Sequence, residues 1–140
     1  MRYPVAAVLL LLSTAAFGAT ADLAVSITAP KVADADYFVI FRIDVTNNGP
    51  DRATGVHIKA GGAFVAGIRC FDKRDFDLEP HQSGFKTCAA DTPRQNGIAT
   101  LGATVTSNAT DPDPSNNAAT ADMQWIVGPN LGTGVFAAHP

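Results

Sequence analysis

From Tyr37 to Thr46 the chain alternates: Val39, Phe41, Ile43 and Val45 are interleaved with Ile40, Arg42, Asp44 and Thr46. Side chains two apart share one face of an extended strand, so this run carries one apolar face and one mostly polar face. A helix would scatter the same residues around its circumference. This period of two recurs along the chain. Leu23, Val25 and Ile27 alternate with Ala24, Ser26 and Thr28, and Val56 and Ile58 are flanked by Gly55, His57 and Lys59. Residues 98–107 and 118–127 are rich in Thr, Val and Ala, which is strand composition with a weaker alternation, and the second run ends in Trp125 and Val127. No long stretch shows helical spacing with caps.

Breakers separate these runs. Asn47-Asn48-Gly49-Pro50-Asp51 combines a residue that tolerates positive φ, one that fixes φ, and side chains that bond back to the local backbone. Gly61-Gly62, the stretch from Glu79 to Gly84, and Asp111-Pro112-Asp113-Pro114-Ser115-Asn116-Asn117 punctuate the rest. The pattern predicts strands over 22–29, 37–46, 53–60, 63–71, 84–90, 97–107 and 117–127. About seven short strands, each with an apolar face to bury, predict an all-β antiparallel sandwich of two sheets. The charged stretch from Arg69 to Glu79 reads as a solvated loop with Phe71, Phe76 and Leu78 tucked beneath it.

The N-terminus stands apart from that pattern. Arg2 precedes an apolar run from Val5 to Leu12, and Ser13 to Ala19 are mostly small. This is the layout of a secretory signal peptide, and the run is shorter than the roughly 18–20 residues that span a bilayer. Small residues at the third and first positions before a cut allow cleavage after Gly18 (with Ala16) or after Ala21 (with Ala19). The expected organisation is a signal peptide over 1–21, one sandwich domain over 22–127 and a flexible tail over 128–140. After signal removal no second segment suggests a membrane span. The protein is expected in the periplasm, at the cell surface or outside the cell.

Composition narrows the partners. The net charge is −3 and the basic residues are dispersed, so the electrostatic footprint of nucleic acid or anionic lipid is missing. Cys70 and Cys88 form an even pair in an exported chain, which predicts a disulfide. Their spacing lacks Cys-x-x-Cys geometry and no histidine adjoins them, so a metal or redox pair is the weaker reading. Closing a loop of this size stabilises a fold by about 3 kcal/mol in the chain-entropy model.

Several motifs resemble a known family. Ala21-Asp22-Leu23-Ala24-Val25, Val45-Thr46-Asn47-Asn48-Gly49-Pro50 and Ala53-Thr54-Gly55-Val56 resemble the bacterial conserved-repeat domain called domain of unknown function eleven. Ala103-Thr104-Val105-Thr106-Ser107 with the Asp111–Asn117 stretch is similar to its closing hairpin, and Leu78-Glu79-Pro80 with Gly84-Phe85 to its middle turn. The resemblance covers nearly the whole chain after residue 21. It implies an immunoglobulin-like fold in surface or secreted proteins, related to adhesion domains and usually repeated in tandem. This chain has one copy, no long stalk or wall-sorting tail, and a charged, cysteine-bearing insertion. The family carries no common activity from which a mechanism follows.

Chemistry has little purchase here. Hydrolysis needs a nucleophile, a base and an orienting group in one place. The histidines are His57 on an outward strand face, His81 in a turn and His139 in the tail, and no Gly-x-Ser-x-Gly elbow is present. We therefore assign no catalytic residues, no cofactor and no metal ligands. Asp111 and Asp113 could supply hard oxygens to calcium, but the stretch lacks EF-hand spacing, and Asp, Asn and Pro are ordinary turn residues. Asn108-Ala109-Thr110 matches a glycosylation sequon by chance in a bacterial-looking sequence. Trp125, Tyr37 and Phe38 read as packing residues. The place for a binding patch is Phe64, Phe71, Phe76 and Phe85 around the charged insertion.

The expected function is a non-catalytic binding or adhesion module of the bacterial envelope or surface, taking a protein or surface polymer as partner. The alternative is a structural or assembly component of the periplasm that pairs through an edge strand. A secreted enzyme or inhibitor ranks third.

Overall fold

The alternation of apolar residues is realised as two facing sheets. The computed structural model describes residues 18–128. Residues 1–17, within the expected signal peptide, and residues 129–140, within the expected tail and including His139, lie outside the described residues. The strands are β1 (Leu23–Thr28), β2 (Val32–Asp34), β3 (Phe38–Asn47), β4 (Ala53–Ala63), β5 (Ala66–Cys70), β6 (Phe76–Leu78), β7 (Ser83–Asp91), β8 (Gly97–Thr106) and β9 (Ala118–Ile126). One sheet has the order β1-β3-β7-β5, the other β2-β9-β8-β4-β6. All pairings are antiparallel except that of β2 with β9, which is parallel.

The core follows from period two. Val39, Phe41, Ile43 and Val45 of β3 are buried, as are Ala99, Leu101, Ala103 and Val105 of β8, and Met123 and Trp125 of β9. They belong to a single apolar cluster with Leu23, Val56, Ile58, Leu78 and Cys88. Burying a side chain such as Phe41 contributes about 1.5–3 kcal/mol. Trp125 fills the core as its size predicts, whereas Tyr37 is exposed and stacks on Phe38 with ring centroids 4.6 Å apart.

The structure departs from the sequence reading in a few places. Gly61-Gly62 does not end a strand: β4 runs to Ala63, with Gly61 and Gly62 in register against Gly102 and Leu101 of β8. Glycine weakens a strand without forbidding it, and the ladder to β8 keeps these backbone groups paired. The charged insertion is not all loop either, since Phe76–Leu78 pairs with β4 and Leu78 enters the core. Among the described residues the sandwich therefore has nine strands instead of about seven, the extra ones being the three-residue β2 and β6.

Within β4 the inward residues Ala53 and Val56 are three apart, so the pattern slips by one. Gly55 lies there with φ +63, and the β4–β6 register shifts between Ala53 and Val56. A left-handed residue of this kind makes a β-bulge, which glycine adopts without penalty. Residues before β1 also belong to the sandwich. Ala21 is buried, and Thr20 bridges to Thr110.

Candidate interaction surface

The charged insertion crosses from one sheet to the other. β5 is the edge of the four-stranded sheet and β6 the edge of the five-stranded sheet, and residues 71–75 connect them. Two clamps hold the crossing. Cys70 faces Cys88 in the β5–β7 register and the two form a disulfide. At the other end the Asp77 carboxylate accepts the Gly55 N–H at 2.9 Å and pairs with Arg52 at 2.7 Å. The bulge at Gly55 frees a main-chain donor, and Asp77 captures it. That donor, followed by the Arg52 charge, holds the Asp77 carboxyl below its ordinary value. Asp72 is lowered in the same sense, first by the N–H of Arg74, which it accepts at 2.9 Å, and then by the Arg74 charge.

The four phenylalanines around this segment do not form one patch. Phe76 is half-buried, packs against the core and lies over Gly84. Phe64 is 80 % exposed in the β4–β5 turn with φ +64, and lines a shallow depression with Pro93, Asn96, Ile98 and Trp125 at one end of the sandwich. Phe71 and Phe85 both lie at β7, one bonded to it and the other on it. Phe71 is 65 % and Phe85 55 % exposed. The Phe71 N–H donates to the Thr87 carbonyl at 3.0 Å, and Thr87 stands two residues from Phe85 on β7. Arg42 of the neighbouring β3 lies over the Phe85 ring at 3.8 Å and pairs with Asp44 at 2.6 Å. A guanidinium over an exposed ring contributes about 0.5–1 kcal/mol and fixes the ring's orientation.

Beneath this surface, Lys86 points inward between Phe85 and Thr87 and is almost wholly buried. A buried lysine is not legible in the sequence, because the inward position of residue 86 appears only in the register that pairs it with Ile43.

The two histidines among the described residues are not gathered. His57 is on the outer side of β4 and its Nδ1 meets Asp75 at 2.8 Å, both side chains about half exposed. His81 sits in the β6–β7 turn with φ +63 and donates its N–H to Asn47. Among the described residues no hydroxyl or thiol hydrogen-bonds the His57 ring, and no group of three or more His, Cys, Asp or Glu side chains is placed to hold a metal ion. In the Asp111–Asn117 stretch the carboxylates are occupied by the backbone. Asp111 accepts the N–H groups of Leu23 and Asp113, and Asp113 accepts that of Ser115 at the start of a short 3-10 turn over Pro114–Asn116.

The solution structure of the CARDB domain of a Pyrococcus furiosus protein superposes with a TM-score of 0.64 at 22 % identity, covering 79 % of this chain and 99 % of that domain. A crystal structure of the same domain, in complex with two metal ions, gives a TM-score of 0.63 at 22 % identity over 77 % and 96 %. The fold is the immunoglobulin-like sandwich of CARDB domains. No family model matches the chain, and no curated protein matches it. The described residues contain no helix long and apolar enough to cross a membrane.

Proposed function

We propose that this protein is an exported, non-catalytic immunoglobulin-like binding module of a bacterial envelope or surface, with a protein or surface polymer as partner. The observation that carries this reading is the exposure of Phe71 and Phe85 beside a disulfide-clamped strand, with Arg42 fixed over the Phe85 ring. Rigid exposed aromatics beside an arginine are the residue types that dominate binding energy at interfaces. The disulfide and the signal-like N-terminus support an oxidising compartment. The likeness to CARDB domains and the motifs shared with the conserved-repeat family support a binding role over a catalytic one.

The test is site-specific photocrosslinking in the source cells combined with fractionation. A photoreactive phenylalanine at position 71 or 85 should capture a discrete partner outside the cytoplasm, and one at Thr120, on the other sheet, should not. Equal capture at all three positions, or residence of the protein in the cytoplasm, overturns the reading.

A second reading rests on a different feature. β1 pairs with β3 in unbroken register from Leu23 to Thr28, and among the described residues no strand pairs with its other edge, where only the Leu23 N–H is taken, by Asp111. A continuous free edge suits an assembly component that accepts a partner's strand. Val25→Pro, which removes an N–H from the outer edge and leaves the β3 ladder intact, would abolish partner binding in that case, and leave it unchanged if the aromatic surface is used.

A further inference from the structure

We propose that the leader is cut between Gly18 and Ala19, so that Ala19, Thr20 and Ala21 are the first residues of the mature domain. This rests on the export reading and adds the position of the cut. Two bonds satisfy the small-residue rule for a leader peptidase, the one after Gly18 and the one after Ala21. Both bonds fit the rule, and the boundary expected from the sequence, at residue 21, takes the second. The fold favours the first.

Ala21 is 0 % exposed and belongs to the apolar core. Its N–H donates to the Thr110 carbonyl at 3.0 Å, and the Thr110 N–H donates to the Ala19 carbonyl at 2.9 Å. Thr20 forms a reciprocal pair with Asp51: the Thr20 N–H donates to the carboxylate at 2.8 Å, and the Asp51 N–H donates to the Thr20 carbonyl at 3.2 Å. The main chain of Gly49 lies against Ala21 and Asp22. These contacts join the chain start to the β3–β4 turn on one side and to the β8–β9 connection on the other. Gly18 and Ala19 are exposed, and among the described residues the main-chain bonds to the sandwich begin at the Ala19 carbonyl, just past the first of the two candidate bonds.

Hydrolysis at each bond has a different outcome. Water adds across the Gly18–Ala19 amide, leaving a carboxylate on Gly18 of the released leader and an α-ammonium on Ala19. That ammonium is born in solvent, and every hydrogen bond described above survives. Hydrolysis after Ala21 would remove all of them, expose the core position that Ala21 fills, and create an ammonium on half-buried Asp22 under Gly49. Leader peptidase acts on the chain before it folds. The structure therefore says which product makes the complete domain, and the sequence says that the peptidase accepts this bond.

Intact-mass measurement and N-terminal sequencing of the protein, expressed at full length with its leader and recovered from the cell envelope or medium, test this. The expected N-terminus is Ala19. An N-terminus at Asp22 overturns the proposal and leaves the export reading standing, whereas a retained Met1 in the cytoplasm overturns the export reading and the proposal with it. As a second measurement, chains produced to begin at residue 19 and at residue 22 are compared by thermal melting. The shorter chain should melt lower by roughly 5 °C or more, and equal melting temperatures would remove the physical ground for the choice.

Discussion

Gly97 on β8 faces Trp125 on β9, and a β-carbon at position 97 would come within 2.6 Å of the indole ring. The absent side chain is what lets the largest residue of the core lie flat against the neighbouring strand. Gly97→Val should therefore destabilise the domain by about 1–3 kcal/mol through overpacking. A lower denaturation midpoint with an unchanged urea slope is expected. Trp125 is the only tryptophan, so its emission should shift to the red in the folded variant as the ring is displaced towards water.

Asn47 is fully buried and joins three segments. Its Nδ2 donates to the carbonyls of Asp51 at 2.8 Å and Leu78 at 3.2 Å, and its Oδ1 accepts the Gly49 N–H at 3.0 Å. Asn47→Ala leaves these groups without partners in a dry site, at about 1–3 kcal/mol for each buried group left unsatisfied. The expected loss is about 3 kcal/mol or more. Asn48→Ala, on the adjacent turn residue, should cost less than half of that in the same urea titration.

The contrast between these residues shows what the sequence made legible. β3 and β8 could be predicted because each buries one face over ten residues, long enough for a period of two to be counted. β2 and β6 have three residues each, too few for any period, and β6 sits among charges that read as solvent-facing. Asn47 was legible as a turn residue from its neighbours Asn48, Gly49 and Pro50. Its burial was not, because that depends on the Leu78–Glu79 turn arriving from thirty residues away. The aromatic surface was legible only as a set of residue types near the insertion. Which phenylalanines stay exposed beside β7 is decided by the β5–β7 register and by the disulfide.

Cys70 and Cys88 close a loop with a sequence separation of 18. In the chain-entropy model this contributes about 3 kcal/mol. The double variant Cys70→Ala with Cys88→Ala should lose about that amount, and a reducing agent should lower the melting temperature of the natural protein but not of the variant. Because the disulfide holds β5 to β7, hydrogen exchange in the variant should rise first in residues 66–71.

Asp111 supports the fold through the backbone of β1. Its Oδ2 accepts the Leu23 N–H at 2.9 Å and its Oδ1 accepts the Asp113 N–H at 3.0 Å. Both oxygens are committed to N–H donors, so millimolar calcium should leave the melting temperature unchanged. Asp111→Ala should destabilise by roughly 1–3 kcal/mol, as expected for hydrogen bonds to a charged group. A calcium-dependent rise in melting temperature that Asp111→Ala abolishes would show that the stretch binds the ion after all.

The Asp77 carboxylate gives the domain a defined acid sensitivity. Its pKa is lowered from the ordinary 3.8, first by the Gly55 N–H and then by Arg52. A carboxyl with a folded-state pKa below its unfolded value stabilises the fold at pH above that unfolded value, and the contribution is lost as pH falls through the folded one. Stability measured by urea titration should therefore be flat in this contribution above about pH 5 and decline below pH 4. Asp77→Asn removes the titrating group while keeping an oxygen that accepts from Gly55. The variant should be less stable than the natural protein at pH 7 and should show a shallower decline between pH 4 and pH 2. Asp72, lowered in the same direction by Arg74, adds to the natural decline and persists in the variant, so the slope is reduced and not abolished. A variant whose decline matches that of the natural protein would show that the Gly55 bulge does not depend on the charge of Asp77.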